Sequence, residues 1–312
     1  MNYINLISKV INQPGFAWHT FSQKVNNEAE DLFRNIFKKD YWLKTVNQKE
    51  IRIAGMRRTG NHAILSWMQA QQEGSVWHLN NVKVNENPYR YKYQNLSYYF
   101  PQHQWSINNF KQQVKGELTP KDCLLYSYED YELEKIFSQL FESKHDLYLG
   151  KTNKRYDVLI IRDPFNLFAS RIKNNFLATK SKTKTSIELW LDYAREFLNE
   201  TNYLQHNKVC INYNLWVQNK DYRQEIAKQL DINFTDAGID NVSGCGGGSS
   251  FDGRNLDGKA NQMDVNNRWK QLLDHDQYRQ LFNHEELIEY SLKIFGHIPG
   301  TEVLFPSKIK FF

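Results

Sequence analysis

Short apolar runs punctuate the chain at Ile51 to Ala54, Val76 to Leu79, Cys123 to Tyr126, Val158 to Ile161 and Val209 to Ile211, each the length of a buried strand. Between them lie stretches whose apolar residues recur at helical spacing, such as SIELWLDYAREFLNETNYL (186–204) and NKDYRQEIAKQL (219–230). Strands alternating with amphipathic helices are repeated βαβ units, which require a mostly parallel sheet with helices on both faces. The pattern predicts an α/β fold: one domain, a mostly parallel central sheet flanked by helices, and no internal repeat. Residues 1–48 read as a helical extension ahead of a core spanning 49–312. Within that extension, EAEDLFRNIFKKDYWL places Leu32, Phe33, Ile36 and Phe37 on one helical face. The earlier stretch 5–21 also has near-helical apolar spacing, suited to packing on its own domain or to lying on a membrane or partner.

Two stretches break the rhythm. Residues 84–121, rich in Tyr, Asn and Gln with weak periodicity, read as an excursion over the sheet edge that helps form a substrate pocket, or as a plain surface insertion. Residues 243–259, SGCGGGSSFDGRNLDGK, are too rich in glycine for regular structure and read as a mobile loop. Because the helix-like VNNRWKQLLDHDQYRQLF follows directly, that loop fits a lid better than a linker between domains.

Composition narrows the class. A chain of 312 residues with 40% hydrophobic and 24% charged residues is that of an ordinary globular protein, and a 14% aromatic share suits an enzyme with a lined pocket. A net charge of +5 suits an anionic cofactor and falls well short of a dedicated nucleic-acid binder. Cys123, Cys210 and Cys245 form no CxxC pair and leave an odd number, which points away from a disulfide framework or a zinc site and toward a reducing cytosol. No run approaches the roughly 18 consecutive apolar residues of a membrane span. The expectation is a cytoplasmic protein with no membrane span, no nucleic-acid partner and no metal, its oligomeric state open.

The segment RIAGMRRTGNHAIL (52–65) carries the first chemical signal: a strand, a turn flanked by Gly55 and Gly60, then a helix. In that layout backbone N–H groups and a helix N-terminus converge on an anion. Asn61 and His62 stand where a nucleotide triphosphatase has its Lys and Ser/Thr, so the available cation is Arg58, or Arg57 beside it. A guanidinium forks two hydrogen bonds onto a tetrahedral anion. Asn61 and His62 can also donate, although His62 could instead cap the helix and face away. The second signal is YDVLIIRDPFNLFASRIKN (156–174), where a strand delivers Arg162 to the carboxyl edge of the sheet and Ser170 follows on the next helix. A salt bridge from Arg162 to Asp163 is the alternative use of that arginine.

Together these motifs resemble the sulfotransferases that use 3′-phosphoadenylyl sulfate (PAPS), over residues 51–295. RRTGNHAIL looks like their 5′-phosphosulfate loop, with Arg58, Thr59 and Gly60 at the motif positions. IIRDPFNLFASR is similar to their 3′-phosphate motif, with Arg162 and Ser170 about one hundred residues further on. The resemblance implies a P-loop sulfotransferase-like fold and a cofactor site of Arg57, Arg58, Thr59, Gly60, Asn61, His62, Arg162 and Ser170. It also implies a basic loop closing over the 3′-phosphate, for which Arg254, Lys259 and Arg268 are candidates. The family's Arg-Lys-Gly triplet is missing there.

On the same resemblance the reaction is transfer of a sulfuryl group from PAPS to a hydroxyl or amine of a small acceptor, leaving 3′-phosphoadenosine 5′-phosphate (PAP). Arg58 would stabilise the leaving oxygen, and Glu129, just after the strand in CLLYSYEDYEL, would be the general base. Tyr128 and Asp130 are one-residue alternatives and candidate substrate contacts, and an acidic surface turn would also explain YED. His78 is a further candidate base or acceptor contact. Relatives that tailor natural products, including saxitoxins, suggest an acceptor of that kind. A P-loop small-molecule kinase and a non-catalytic adenine-nucleotide binder are the competing readings.

Overall fold

In the computed structural model, which describes residues 14–37, 43–244 and 248–305, alternate residues of each inner strand point to opposite sides of one sheet. The strands are β1 (Thr45–Gly55), β2 (Val76–Leu79), β3 (Lys121–Glu129), β4 (Lys151–Ile161) and β5 (Val209–Asn212). They pair in parallel in the order β2-β3-β1-β4-β5. Ile51, Ile53, Cys123, Leu125, Val158 and Ile160 enter one core, while Ala54, Leu124, Tyr126, Leu159 and Ile161 enter the other. A sheet buried on both faces needs near-continuous apolar strands, which is why these runs stood out in the sequence.

Helices α1 (Pro14–Phe37), α2 (Asn61–Ala70), α3 (Pro88–Tyr99), α4 (Gln104–Val114), α5 (Pro164–Lys173), α6 (Ser186–Phe197), α7 (Tyr213–Gln218), α8 (Lys220–Gln229) and α9 (Glu285–Phe295) surround the sheet. The first core is sealed by Phe165 and Phe168 of α5, Leu189 and Trp190 of α6 and Leu287 and Ile288 of α9. The second is sealed by Ile64, Leu65, Trp67 and Met68 of α2 with Ile226 of α8. This is the predicted α/β domain. Since β1 lies between β3 and β4, the carboxyl ends of the three central strands open on one crevice, where ligands bind in such sheets.

Several local expectations are corrected. Strand β1 starts at Thr45, ahead of the apolar run, because the sheet also accepts polar residues such as Asn47, whose amide donates to the Leu149 carbonyl at 3.0 Å. Residues 84–121 are mainly two packed helices, started by the Asn87 side chain accepting from the Tyr89 and Arg90 N–H groups with Pro88 in the first turn. Their contact surface is aromatic, with Trp77 edge-on to Tyr89 and Phe110, so it leaves little aliphatic periodicity. The helix expected over 265–282 is split into a 3-10 segment, Arg268–Leu272, and a short helix, Asp276–Leu281. Residues 1–13, the side chains of 14–24 and of Phe37, and Cys245 lie outside the described residues, so the readings made of them are not tested.

The predicted apolar face of α1 is turned outward. Leu32, Phe33 and Ile36 are exposed, whereas Asp31 and Arg34 are buried. Arg34 donates to the carbonyls of Val114, at 3.0 Å, and Leu147, and Asp31 accepts from Arg90 at 2.7 Å and Tyr148 at 3.0 Å. Hydrogen bonding to polar groups at the helix's docking face overrides its hydrophobic pattern. Urea titrations should therefore find Leu32→Ser and Ile36→Ser within about 0.5 kcal/mol of the parent. Arg34→Ala, which leaves two carbonyls without their donor, should lose about 1–3 kcal/mol. The reverse ranking would contradict this packing.

Candidate functional site

The turn after β1 is wound by its own side chains. Thr59 Oγ1 donates to the Met56 carbonyl at 2.7 Å, and Asn61 Nδ2 reaches the same oxygen at 3.1 Å. Arg58 sits at φ 76 and Gly60 at φ 94, a left-handed pair that turns the chain sharply into α2. A Cβ at Gly60 would lie 2.0 Å from the Tyr213 ring, so only glycine fits. The backbone N–H groups of Arg58, Gly60, Asn61 and His62 make no hydrogen bond to the described residues. Four unpaired donors at a helix N-terminus form a nest for an anion.

Strand β4 delivers Arg162 to the same place. Its Nη1 donates to the Arg58 carbonyl at 3.1 Å and to Ser170 Oγ at 3.4 Å, and its Nη2 donates to the Val265 carbonyl. The guanidinium lies over the Tyr213 ring, 5.0 Å from its centroid. The expected alternative partner, Asp163, instead caps α5 by accepting from the Asn166 N–H at 2.8 Å. Both arginine-bearing junctions thus open on one cleft of about 350 Å³, which Ser170 also lines.

Charge in this cleft is unbalanced. Arg57, Arg58, Arg162 and Arg268 line it, and Glu129 is the single carboxylate among the described lining residues. Arg57 is neutralised by Asp130 at 2.6 Å and Arg268 reaches Asp252 at 3.3 Å, but among the described residues Arg58 and Arg162 have no carboxylate within ion-pair distance. Among the described residues the Nε atoms of Arg58, Arg162 and Arg268 find no partner although buried. Burial lowers the Arg58 guanidinium from its usual range, opposed by Glu129 and reinforced by Arg162. Burial, with Arg162 and Arg58 adding, brings Arg268 down to about 10. Buried cations without counter-charges are costly, and an anion bound among them would offset that cost.

At the other wall, Glu129 ends β3 with its carboxylate accepting from Asn61 Nδ2 at 3.1 Å, and His62 Nε2 lies 3.9 Å away. His62 faces the cleft rather than capping α2, whose N-cap is Gly60. Burial pulls the His62 imidazole below its ordinary value, opposed by the Glu129 carboxylate and reinforced by Arg58. A carboxylate and a neutral imidazole side by side can take up a proton.

The remaining predicted residues divide. Thr59 is buried inside the turn and Asn61 spends its amide on Met56 and Glu129, so both hold the loop, and only the Asn61 backbone N–H is left for a ligand. Tyr128 points into the core against Tyr126 and does not line the cleft, because strand alternation sends its side chain to the opposite face from Glu129. Asp130, expected at the substrate, is fully buried and accepts from the Arg57 N–H, Arg57 Nε and Arg171 Nη1 at 2.9, 2.6 and 2.7 Å. His78 also lies off the cleft, its pKa brought by burial, with Lys92 and His62 adding, down to about 4. Arg254 and Lys259 are exposed and do not line the cleft, Arg254 pairing with Asp257; of the three basic candidates Arg268 alone lines it. Sequence reading passed over Tyr213 and Trp216 of α7, which follow the carboxyl end of β5, and Asn80 and Asn81, which follow that of β2. A strand's carboxyl end was the signal available for all four.

The described residues of the glycine-rich stretch are irregular, as expected. Gly248 accepts from Arg58 Nη1 at 3.2 Å, and Ser249 accepts from Arg268 Nη2 at 2.8 Å, so it borders the cleft directly. Among the described residues no group of three or more His, Cys, Asp or Glu side chains could hold a metal ion, and no helix is long and apolar enough to cross a membrane. No family model matches the chain, and no curated protein matches it in sequence. Among solved structures it is similar to mouse sulfotransferase SULT7A1 complexed with PAP, at 9% identity over 85% of this chain and 91% of that one, with a TM-score of 0.39. So slight a likeness carries no part of the argument.

Two outcomes follow. Because the Glu129 carboxylate raises the His62 pKa, Glu129→Gln should move the imidazole titration, followed by NMR, further below the usual histidine range; an upward shift would contradict the contact. Asp130→Ala leaves the buried Arg171 unpaired and should cost about 3 kcal/mol or more in denaturant titration.

Proposed function

We propose that this chain is a sulfotransferase that takes a sulfuryl group from PAPS and places it on a hydroxyl or amine of a small acceptor. The observation that carries the reading is the meeting of Arg58 and Arg162 in one cleft, with Nε atoms and loop N–H groups unsatisfied by protein. A nucleotide bearing anionic groups at both ends of its ribose suits two such cationic points. The loop 58–62 and Arg58 would hold the phosphosulfate, and Arg162 with Ser170 the 3′-phosphate, closed over by Arg268. The wall formed by Trp216, Val217, Ile239 and Met263 gives an adenine ring an apolar surface.

When bound, PAPS supplies an activated sulfuryl group on a phosphate leaving group. The chain's part is alignment and charge neutralisation. Arg58 and the loop N–H groups stabilise charge on the leaving oxygen; Glu129, oriented by Asn61, takes the acceptor proton, with His62 beside it. The acceptor enters past Asn80, Asn81 and Phe176. A natural-product alcohol is one acceptor class to include in the assay. The kinase reading is weaker because Asn61 and His62 give no lysine or metal-holding hydroxyl.

Thermal unfolding tests the donor: PAP should raise the midpoint and ATP with Mg²⁺ should raise it less, and the opposite order would favour the kinase. With radiolabelled PAPS and an acceptor panel, Arg58→Ala should lower turnover by about a hundredfold or more, in the range seen for oxyanion donors. Ser170→Ala should mainly weaken PAP binding. Unchanged turnover in Arg58→Ala would overturn its role, while PAP binding without turnover in any acceptor assay would favour a non-catalytic binder.

A further inference from the structure

Asp130 is one carboxylate shared by two guanidiniums, Arg57 at 2.6 Å and Arg171 at 2.7 Å, so the three together keep a net positive charge beside Glu129. Arg171 is fully buried, whereas Arg57 lines the cleft with 28% of its side chain exposed. Asp130 engages only the Nε and the backbone N–H of Arg57; its Nη1 and Nη2 make no hydrogen bond to the described residues. The guanidinium carbon lies 5.1 Å from the ring centroid of Phe176, another lining residue, which restricts where that open edge turns.

Lys180 adds a further cation. Its N–H donates to the Asp130 carbonyl at 3.0 Å, and its ammonium lies 4.5 Å from the Tyr131 ring centroid and donates to Asn81 Oδ1. Burial brings the Lys180 pKa down to about 8, opposed by Glu129 and reinforced by Arg57, so these charged groups share one neighbourhood. An ammonium only donates, which fixes Asn81 Oδ1 toward it and turns Nδ2 the other way. Asn81 lines the cleft at φ 51, its N–H donating to Ser127 Oγ at 2.9 Å, and its Nδ2 makes no hydrogen bond to the described residues. This end of the cleft therefore presents a guanidinium edge and an amide donor, while its single described carboxylate, Glu129, serves as the base. A neutral acceptor would leave that charge and those donors unanswered.

We infer that the acceptor is an acidic small molecule, its anionic group held by the Arg57 Nη atoms and the Asn81 carboxamide while its hydroxyl or amine meets Glu129. The assignment rests on the sulfotransferase reading. A bond forms from the acceptor oxygen or nitrogen to sulfur, the bond from sulfur to the phosphate oxygen breaks, PAP leaves with that electron pair, and the acceptor proton passes to Glu129. Calorimetric titration of the PAP-loaded chain tests the assignment without needing turnover. The probes are para-hydroxyphenylacetate, para-hydroxybenzylphosphonate and the neutral para-hydroxyphenylacetamide. At least one acid should bind about tenfold or more tighter than the amide, less so at high salt, and the two acids tell a planar anion from a tetrahedral one. Arg57→Gln should bring the acids to the level of the amide. Because Arg57 also belongs to the Asp130 cluster, Asn81→Asp is the second variant: it keeps an acceptor for Lys180, tolerates the left-handed backbone and adds a negative charge. It should weaken acid binding at least about tenfold while PAP and amide bind as in the parent. Equal binding of acids and amide, no binding of either acid, or an acid preference undiminished in Asn81→Asp would overturn the proposal. So would acids that bind the free chain and are displaced by PAP, since they would then occupy the donor's place. Failure of PAP itself to bind would instead overturn the sulfotransferase reading, and the acceptor assignment with it.

Discussion

With no exposure of its own, the Asp130 carboxylate accepts from the Arg57 backbone and side chain and from Arg171, fastening the turn after β1, the end of β3 and the helix after β4 to one another. Asp130 adopts φ 62 to do so, and its own N–H donates to the Gly55 carbonyl at 3.2 Å. Each member of this clamp is the sequence neighbour of a residue that faces the cleft: Arg57 of Arg58, Asp130 of Glu129, Arg171 of Ser170. The paired charges fix positions, and their neighbours line the cleft. A buried ion pair of this sort adds little net stability over an apolar replacement, but removing one partner strands the other, so the geometry is strongly specified.

The same logic explains what remains unsatisfied. Arg58 and Arg162 are held by backbone carbonyls rather than carboxylates, which keeps their charge available while limiting the conformations they sample. The four free N–H groups of the loop and the partial positive charge of the α2 N-terminus add to it. Preorganised donors of this kind stabilise charge that develops during a group transfer without reorganising at the moment of reaction.

Much of this was legible in the sequence because the strands are buried on both faces. All five were found from apolar runs, and the two anion motifs follow strands, where the carboxyl ends had to converge. The polar start of β1, the tyrosine-rich helices α3 and α4, and the inverted burial of α1 were not legible, since hydrogen bonding and aromatic contact determine them. Around Glu129 the sequence offered three adjacent candidates. Only strand alternation and the left-handed turn at Asp130 separate the residue in the cleft from the one in the core and the one in the clamp. The order in which Arg254, Lys259 and Arg268 approach the cleft was equally hidden, because a loop of glycines fixes no direction.

The most direct test is a crystal structure of the chain grown with PAP. The account predicts one nucleotide in the cleft, with its 5′-phosphate on the 58–62 loop and its 3′-phosphate within hydrogen-bond distance of Arg162 and Ser170. A nucleotide that contacts one of the two arginine junctions and leaves the other free, or that binds elsewhere, would contradict it.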